Sequence, residues 1–237
     1  MNTVEITARR KLKKDSLPQM VMDCIYQELL EGKLKPGDLL PSEADLSEKL
    51  AVGKSSIREA IKMLNVIGIV ESVQGEGTFI KTDVDDTVIN PLTYQLVILQ
   101  GTDEQILELR YWLEPSYTLL AMTRASEEDI ERIKNTVVEF EKKIASNTQT
   151  AMDDLAFHEA ILDATHNPYI IRIGKTMLHL FEASIQKSMN TIPNTALEDH
   201  KRILDAFLKK DRDALYEAVT KSFDGWKQML NHLFDSK

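Results

Sequence analysis

The sequence has a single cysteine, few aromatic residues and no long apolar run. Cys24 alone excludes an internal disulfide and a zinc module built from several cysteines. No apolar run approaches the roughly 20 residues that span a bilayer, so we expect no transmembrane helix and no membrane partner. The basic N-terminus is followed by no apolar segment, which argues against a secretory signal and predicts a cytoplasmic protein. Aromatic residues make up only 6%, which argues against a protein that stacks the bases of single strands.

Glycine and proline are also scarce, with 9 and 7 residues, whereas the common residues Leu, Ile, Ala, Glu and Lys favour helices. The net charge is −9, but it is unevenly distributed. Residues 1–82 hold twelve basic and twelve acidic residues, so the whole negative excess lies in residues 83–237. A neutral first part can still present a basic face, and the composition therefore permits DNA binding.

Sequence patterns divide the chain into four regions. Residues 1–16 are polar and basic without a period, which predicts a flexible arm, and residues 83–88 read as an acidic linker. Between them, residues 17–82 mix helical periodicity with one alternating stretch, whereas residues 89–237 are helical throughout. We therefore expect a mainly α protein with an N-terminal winged helix-turn-helix and a C-terminal bundle of about seven helices.

The first domain shows three helical patterns and then a hairpin pattern. Ser42, with Asp45 three residues later, predicts a capping box at the start of the second helix. Ser55 or Ser56 is expected to cap the third helix after a short turn. Apolar residues alternate on both sides of the turn 74–77, which predicts a β-hairpin. Three helices and a hairpin form a winged helix.

Polar residues at the start of the third helix favour a DNA-binding role. Arg58 and Lys62 are four residues apart and share its outer face, behind Lys54. A recognition helix presents such residues to the major groove, where arginine pairs with guanine. Ser42 and Ser55 can hold phosphates. A small α+β packing module explains the apolar pattern equally well, because exposed lysines and arginines are usually only solvated.

Ordered motifs over residues 16–82 resemble the winged-helix domain of the GntR family of bacterial transcription regulators. They are L-x-P-G-x-x-L-P-S-E, then V-x-x-S-x-x-R-E-A-(hydrophobic)-x-x-L, then G-x-G-T-(aromatic). The resemblance implies a homodimer that binds double-stranded operator DNA. The candidate DNA-binding residues are Ser42, Glu43, Ala44, Lys54, Ser55, Ser56, Arg58, Lys62, Gln74, Gly75, Gly77 and Thr78. Ala44 and Lys54 stand where the FadR-like pattern has arginine, so we expect a different preferred operator.

The second part contains seven helical segments and no alternating stretch. They cover residues 87–100, 103–125, 127–146, 149–165, 168–190, 196–209 and 212–235. Asp154 and His158 are four residues apart on one helix face, and His200 lies on a later helix. One carboxylate and two imidazoles in a bundle interior can bind a transition metal. The same spacing also arises by chance, in which case Asp154 only pairs with solvent or a histidine.

Residues 88–230 resemble the FCD effector-binding domain of the FadR subfamily. The matching motifs are E-L-R-x-x-L-E from residue 108, D-L-A-F-H from 154, Asn167, E-D-H from 198 and D-x-x-A from 211. Metal-binding members use one Asp and three His, of which Asp154, His158 and His200 match. The last histidine corresponds to Ser222. Two alternatives stay open: an open three-ligand site for Zn, Ni or Mn, or a site that has lost its metal.

The resemblance also implies an effector, usually a small organic acid and in some members a fatty acyl thioester. Arg110 matches an inward-facing arginine that can hold a carboxylate through two parallel hydrogen bonds. Its alternative role is an ion pair with Glu114, four residues later. The further candidates for the effector site are Asn167, Arg172 and Ser222.

These patterns favour a ligand-responsive transcription regulator that binds DNA as a dimer. The alternative from another class is a metal-dependent enzyme in which Asp154, His158 and His200 hold the ion and a water or Ser222 is the nucleophile. A helical scaffold is the third hypothesis. The enzyme and the scaffold both leave the winged helix unexplained.

Overall fold

The computed structural model describes residues 16–83, 91–99, 101–191 and 193–234; the side chains of residues 103, 183, 184, 187, 188, 191 and 225–234 are not described. The predicted arm lies outside the described residues except for Ser16, and the predicted linker except for Asp83. The chain forms two compact units, Met1–Pro91 and Leu92–Lys237.

The first unit contains three helices followed by a two-stranded sheet. They are α1 (Leu17–Leu30), α2 (Glu43–Leu50), α3 (Lys54–Val66), β1 (Val70–Val73) and β2 (Gly77–Ile80). The strands are antiparallel, with Val70 opposite Ile80 and Val73 opposite Gly77. This architecture confirms the predicted winged helix-turn-helix.

The predicted serine cap is present at the start of α2 and absent at the start of α3. At α2, the amide of Asp45 donates to Ser42 Oγ at 3.2 Å, so the predicted serine cap is present. The predicted capping box is incomplete, because Asp45 Oδ2 accepts from Ser42 Oγ at 2.7 Å and not from the Ser42 amide. At α3 the predicted serine cap is wrong, because Gly53 is the N-cap and no side chain caps the helix. The physical reason is position: the extended Gly53 precedes Lys54, so Ser55 and Ser56 lie inside the first turn of α3 and not at its N-cap.

The core of the first unit is formed by one face of α1 and one face of α3, together with residues of α2, of the adjoining loops and of both strands. The buried apolar residues are Val21, Ile25, Leu40, Leu46, Val52, Ile57, Ala60, Ile61, Leu64, Val70 and Ile80. Because Ile57, Ile61 and Leu64 point into this core, the opposite face of α3 is left to solvent.

The second unit consists of helices joined by short turns, with no strand among its described residues. Its helices are α4 (Pro91–Ile98), α5 (Asp103–Arg124), α6 (Glu127–Ala145), α7 (Ala151–Asp163), α8 (Pro168–Thr191), α9 (Pro193–Lys209) and α10 (Arg212–Phe234). The seven predicted helices are confirmed, with ends that differ by up to four residues. In the described part of the chain, no helix is long and apolar enough to cross a membrane.

Helix α7 lies at the centre of the second unit. It packs against α5, α6 and α8, and most of its side chains are buried. Gly174 lets α8 approach closely, because a Cβ there would collide with the Leu162 side chain. Because α7 is buried on several sides, the polar Asp154 and His158 lie in the core. A polar group there costs free energy unless it has a hydrogen-bond or ion-pair partner.

Candidate functional site

The outer face of α3 presents the predicted basic residues to solvent. Lys54, Arg58 and Lys62 are all exposed. Arg58 Nε donates to Glu43 Oε2 at 2.6 Å, and the two side chains are 63% and 39% exposed. An exposed ion pair of this kind contributes only about 0–1 kcal/mol, so Arg58 can exchange Glu43 for another acceptor at small cost.

The turn of the hairpin requires its glycines. Gly75 has φ +83° and Gly77 has φ +128°, and both are exposed. A Cβ at Gly77 would also lie 2.7 Å from the Leu39 side chain. Next to this turn, the hydroxyls of Ser72 and Thr78 are 3.0 Å apart across the strands. The result is a tight turn that is exposed to solvent at the end of the hairpin.

The remaining DNA-binding candidates lie on the same unit. Ser42 and Ala44, at the start of α2, are exposed, as are Ser55 on α3 and Gln74 in the turn. Ser56 is half-buried. Since Ser55 and Ser56 do not cap α3, their hydroxyls stay available for other acceptors or donors.

The structure brings the three predicted metal ligands together. His200 Nε2 lies 3.3 Å from Asp154 Oδ1 and 3.3 Å from His158 Nε2, and His158 Nε2 lies 3.7 Å from Asp154 Oδ2. All three residues are buried. Helix α7 positions the first two by the i, i+4 spacing, and α9 supplies the third.

These separations fit a metal polyhedron. Ligands about 2.0–2.2 Å from a common ion are roughly 2.8–3.1 Å from their neighbours in octahedral geometry and roughly 3.3–3.6 Å in tetrahedral geometry. The two 3.3 Å separations agree with the tetrahedral range, and the 3.7 Å separation exceeds it slightly. The donor set of one carboxylate and two imidazoles therefore can hold a divalent transition metal.

Two residues of α5 complete the cluster. Arg110 Nε donates to Glu114 Oε2 at 2.5 Å, which confirms the alternative role of Arg110 as an ion-pair partner. Arg110 Nη2 lies 2.8 Å from His158 Nε2, and Glu114 Oε1 lies 3.0 Å from His158 Nδ1. Because a guanidinium only donates, His158 accepts at Nε2 and carries its proton on Nδ1, towards Glu114.

The charges of the cluster are fixed by their neighbours. Burial opposes ionisation of Glu114, but Arg110 outweighs it and holds the pKa of Glu114 well below its usual range. Burial likewise opposes ionisation of Asp154, whereas His200 and Arg110 together lower its pKa. Burial lowers the pKa of His200, which favours the neutral imidazole that a metal requires. Two carboxylates, one guanidinium and two neutral imidazoles leave one negative charge in excess.

Aromatic rings surround the cluster and exclude water from it. His200 stacks on Phe157, with ring centroids 4.1 Å apart, and Phe140 lies at 5.4 Å. The guanidinium carbon of Arg110 lies 5.7 Å from the ring centre of Phe181 and 5.5 Å from that of Phe223. In so apolar an environment, electrostatic interactions are stronger than in water.

The other predicted effector residues lie elsewhere or have local partners. Asn167 Oδ1 accepts from the amides of Tyr169 and Ile170, so this side chain caps α8. Ser222 is buried and donates to the Val219 carbonyl at 2.8 Å. Ser222 precedes Phe223, which contacts Arg110, and α10 therefore borders the cluster. Arg172 is half-buried on α8.

Sequence reasoning assigned Glu114 only to an ion pair and missed its contact with His158. It also missed Tyr117, a buried residue without a hydrogen-bond partner among the described residues. The available signal was the spacing 110, 114 and 117, which places three polar groups on one face of α5.

Two family patterns match the chain. The FCD domain matches residues 105–225, and the bacterial regulatory proteins of the gntR family match residues 17–80. The HTH-type transcriptional regulator LutR of Bacillus subtilis is 32% identical over 74% of this chain and 83% of its own length. The galactonate operon transcriptional repressor of Escherichia coli is 28% identical over 81% of this chain and 87% of its own. These names describe transcription regulators and give no support to the enzyme alternative.

A solved structure shares the fold. The Streptococcus agalactiae GntR structure aligns with a TM-score of 0.63 and 24% identity, covering 90% of this chain and 99% of that one.

Proposed function

Because the chain belongs to the GntR family, in the FadR-like subfamily that carries an FCD domain, we propose that it is a ligand-responsive transcription regulator. Its winged helix binds operator DNA through α3 and the hairpin tip, and its helical unit binds a small carboxylate that changes DNA affinity. The observation that carries this proposal is the buried cluster in which Arg110 meets Asp154, His158 and His200.

The charge of the cluster supports a cation together with an acid. A buried charge without compensation is costly, and these five side chains have one negative charge in excess. A divalent cation together with one carboxylate restores neutrality. The proposed cation is Zn, Ni or Mn, since all three accept mixed carboxylate and imidazole ligands. When bound, it supplies positive charge and open coordination positions for an effector oxygen.

The residues of the chain have distinct proposed roles. Asp154, His158 and His200 hold the ion, for which His158 Nε2 exchanges its hydrogen bond from Arg110 for the metal. Glu114 lies near Nδ1 of His158 and orients the ring, as outer carboxylates do for metal-bound histidines. Arg110 receives the effector carboxylate, for which its planar fork is suited. The name of one relative supports this ligand class, because galactonate is a hydroxy carboxylate. Asn167, Arg172 and Ser222 are proposed to border the effector.

Regulation requires the effector to bind one conformation of the protein better than another. We propose a homodimer, so that two winged helices read half-sites about one helical turn of DNA apart. The exposed faces of α3 and of the hairpin tip are free for that contact, and phosphate contacts would make binding salt-dependent.

The test is operator binding by full-length protein, with a duplex selected from a random library and a panel of small hydroxy carboxylates. Wild type is expected to change its operator affinity with at least one acid. Arg110→Ala should lose that response but still bind DNA without the acid, and Arg110→Lys tests the fork with the charge kept. Arg132→Ala, at a half-exposed ion pair on α6, is the matched control. An unchanged response in both Arg110 variants would exclude the proposed role.

A further inference from the structure

Helix α5 has a proline near its centre. Pro115 lies inside the helix and is buried. Proline has no amide hydrogen, so the backbone bond that another residue would donate from this position to the Tyr111 carbonyl is missing. Just beyond it, the Thr118 hydroxyl donates to the Glu114 carbonyl at 2.7 Å, a contact that is common where helices bend. Helix α5 is therefore weakest against bending at Pro115.

The second half of α5, after Pro115, is anchored in the core. Ala121 and Met122 belong to the buried apolar cluster of the second unit. Near the end of the helix, Arg124 Nη1 donates to the Thr165 carbonyl at 3.0 Å, which ties this end to the turn after α7. Apolar packing and a tertiary hydrogen bond thus fix the second half in place.

The first half of α5, residues 104–114, is tied to α7 through the buried cluster. Among its described side chains, only Leu107, Arg110 and Glu114 are buried. Arg110 Nη2 lies 2.8 Å from His158 Nε2, and Glu114 Oε1 lies 3.0 Å from His158 Nδ1. Two of the three buried side chains in this half therefore contact the same imidazole.

Arg110 and a bound cation exclude each other at this imidazole. A neutral imidazole has one nitrogen that accepts, and Nε2 of His158 accepts from the guanidinium. A cation held through Nε2 needs the same lone pair, and its charge also repels the guanidinium. Away from His158, Arg110 still has the Glu114 carboxylate and the rings of Phe181 and Phe223 as partners. The exchange therefore leaves the guanidinium compensated.

Building on the proposed function, we propose that the first half of α5 moves when a cation occupies the cluster. Arg110 leaves His158, and residues 104–114 pivot at Pro115 while residues 116–124 stay fixed. In the sequence, the first half follows the segment that leads from the winged helix, so the moving half is the one connected to the DNA-binding unit. Its two positions are the two conformations that regulation requires.

Hydrogen–deuterium exchange of full-length protein, read by mass spectrometry, tests the proposal with Zn²⁺ alone as the probe. The reference is the same protein after treatment with a chelator. Zn²⁺ should slow amide exchange in α7 and α9, whose side chains hold it, because a bound ligand suppresses local opening. In residues 104–114 it should instead speed exchange by about tenfold, because a hydrogen bond from a charged donor is lost. Exchange in residues 116–124 should not change.

Two variants assign the effect to Arg110 and to Pro115. Arg110→Met has a neutral side chain of similar length, so its residues 104–114 should exchange fast with and without Zn²⁺. Pro115→Ala restores the missing backbone bond, so the same residues should exchange slowly in both conditions although Zn²⁺ still protects α7. Pro168→Ala, at an exposed proline in the first turn of α8, is the matched control and should behave as wild type.

The outcomes distinguish this inference from the function on which it rests. If Zn²⁺ protects α7 and α9 but does not speed exchange in residues 104–114, the cation site stands and the pivot is overturned. If Zn²⁺ protects neither helix, the cation fails and the pivot with it. A Zn²⁺-dependent change that persists in Arg110→Met or in Pro115→Ala would also contradict the proposal. If Arg110→Met does not fold, wild type and Pro115→Ala still decide between these outcomes.

Discussion

The two units of this protein place their charged groups in opposite environments. In the winged helix, Arg58 and Glu43 form an ion pair in which both partners are exposed to solvent. In the helical unit, Arg110 and Glu114 form the same kind of pair with side chains only 4% and 2% exposed. The first pair is cheap to break and therefore suits a surface that must exchange partners with DNA. The second pair is costly to break, which suits a preorganised binding site.

The largest expected effect is on the free energy of unfolding when the acidic partner of each pair is neutralised. Glu114→Gln removes the charge that pairs directly with Arg110 Nε inside the core, so we expect a loss of about 3–5 kcal/mol in the free energy of unfolding. Glu43→Gln makes the same chemical change at the exposed pair and should cost less than about 1 kcal/mol. Denaturant unfolding of both variants measures the difference. Equal losses would show that burial does not distinguish the two pairs.

A second prediction concerns the affinity of the protein for DNA after Arg58, the basic partner of the exposed pair, is replaced. Arg58→Ala should weaken binding to the selected operator by about 1–3 kcal/mol and relax its base choice, because a bidentate contact to a base is lost. Its unfolding free energy should stay within about 0.5 kcal/mol of wild type. Lys33→Ala, at an exposed lysine of the same unit, is the control. Full operator affinity in Arg58→Ala would exclude α3 as the recognition helix.

The smallest expected effect concerns metal affinity. Ser222→His restores the histidine of the four-ligand pattern and should tighten metal binding by roughly tenfold or more, since even outer-shell changes alter affinity by about 10–100-fold. Competition with a metal chelator measures this change. Ser146→His, at an exposed serine that ends α6, is the control. Equal affinity in wild type and Ser222→His would show that residue 222 does not reach the ion.

Sequence reasoning was most successful where the determining signals are local. The hairpin around the turn 74–77 and the capping of α2 by Ser42 each depend on a few adjacent residues, and both are confirmed. The cap of α3 was predicted wrongly, because the helix begins at Lys54 after Gly53, which places Ser55 and Ser56 inside its first turn. Glycine is a weaker cap signal than serine, so the two serines misdirected the prediction.

The cluster was only partly predictable for a different reason. The spacing of Asp154 and His158 places both on one face of α7, but their contacts with Arg110, Glu114 and His200 depend on how three helices pack. Most of these residues were identified as candidates through the resemblance to the FCD domain. Helical spacing places Glu114 and Tyr117 on one face of α5. The contact of Glu114 with His158 depends on how α5 packs against α7, as does the Tyr117 hydroxyl without a partner among the described residues, and spacing does not report that packing.

The central claim is that the buried cluster of the helical unit is built to hold a cation. The most direct measurement is the metal content of wild type, purified without a histidine tag, by mass spectrometry. Asp154→Asn and the matched control Asp163→Asn, on the same helix, are measured beside it. We predict about one divalent transition metal per chain in wild type and in Asp163→Asn, and much less in Asp154→Asn. A wild-type content near zero, after metal is added back and the protein is desalted, would contradict the claim.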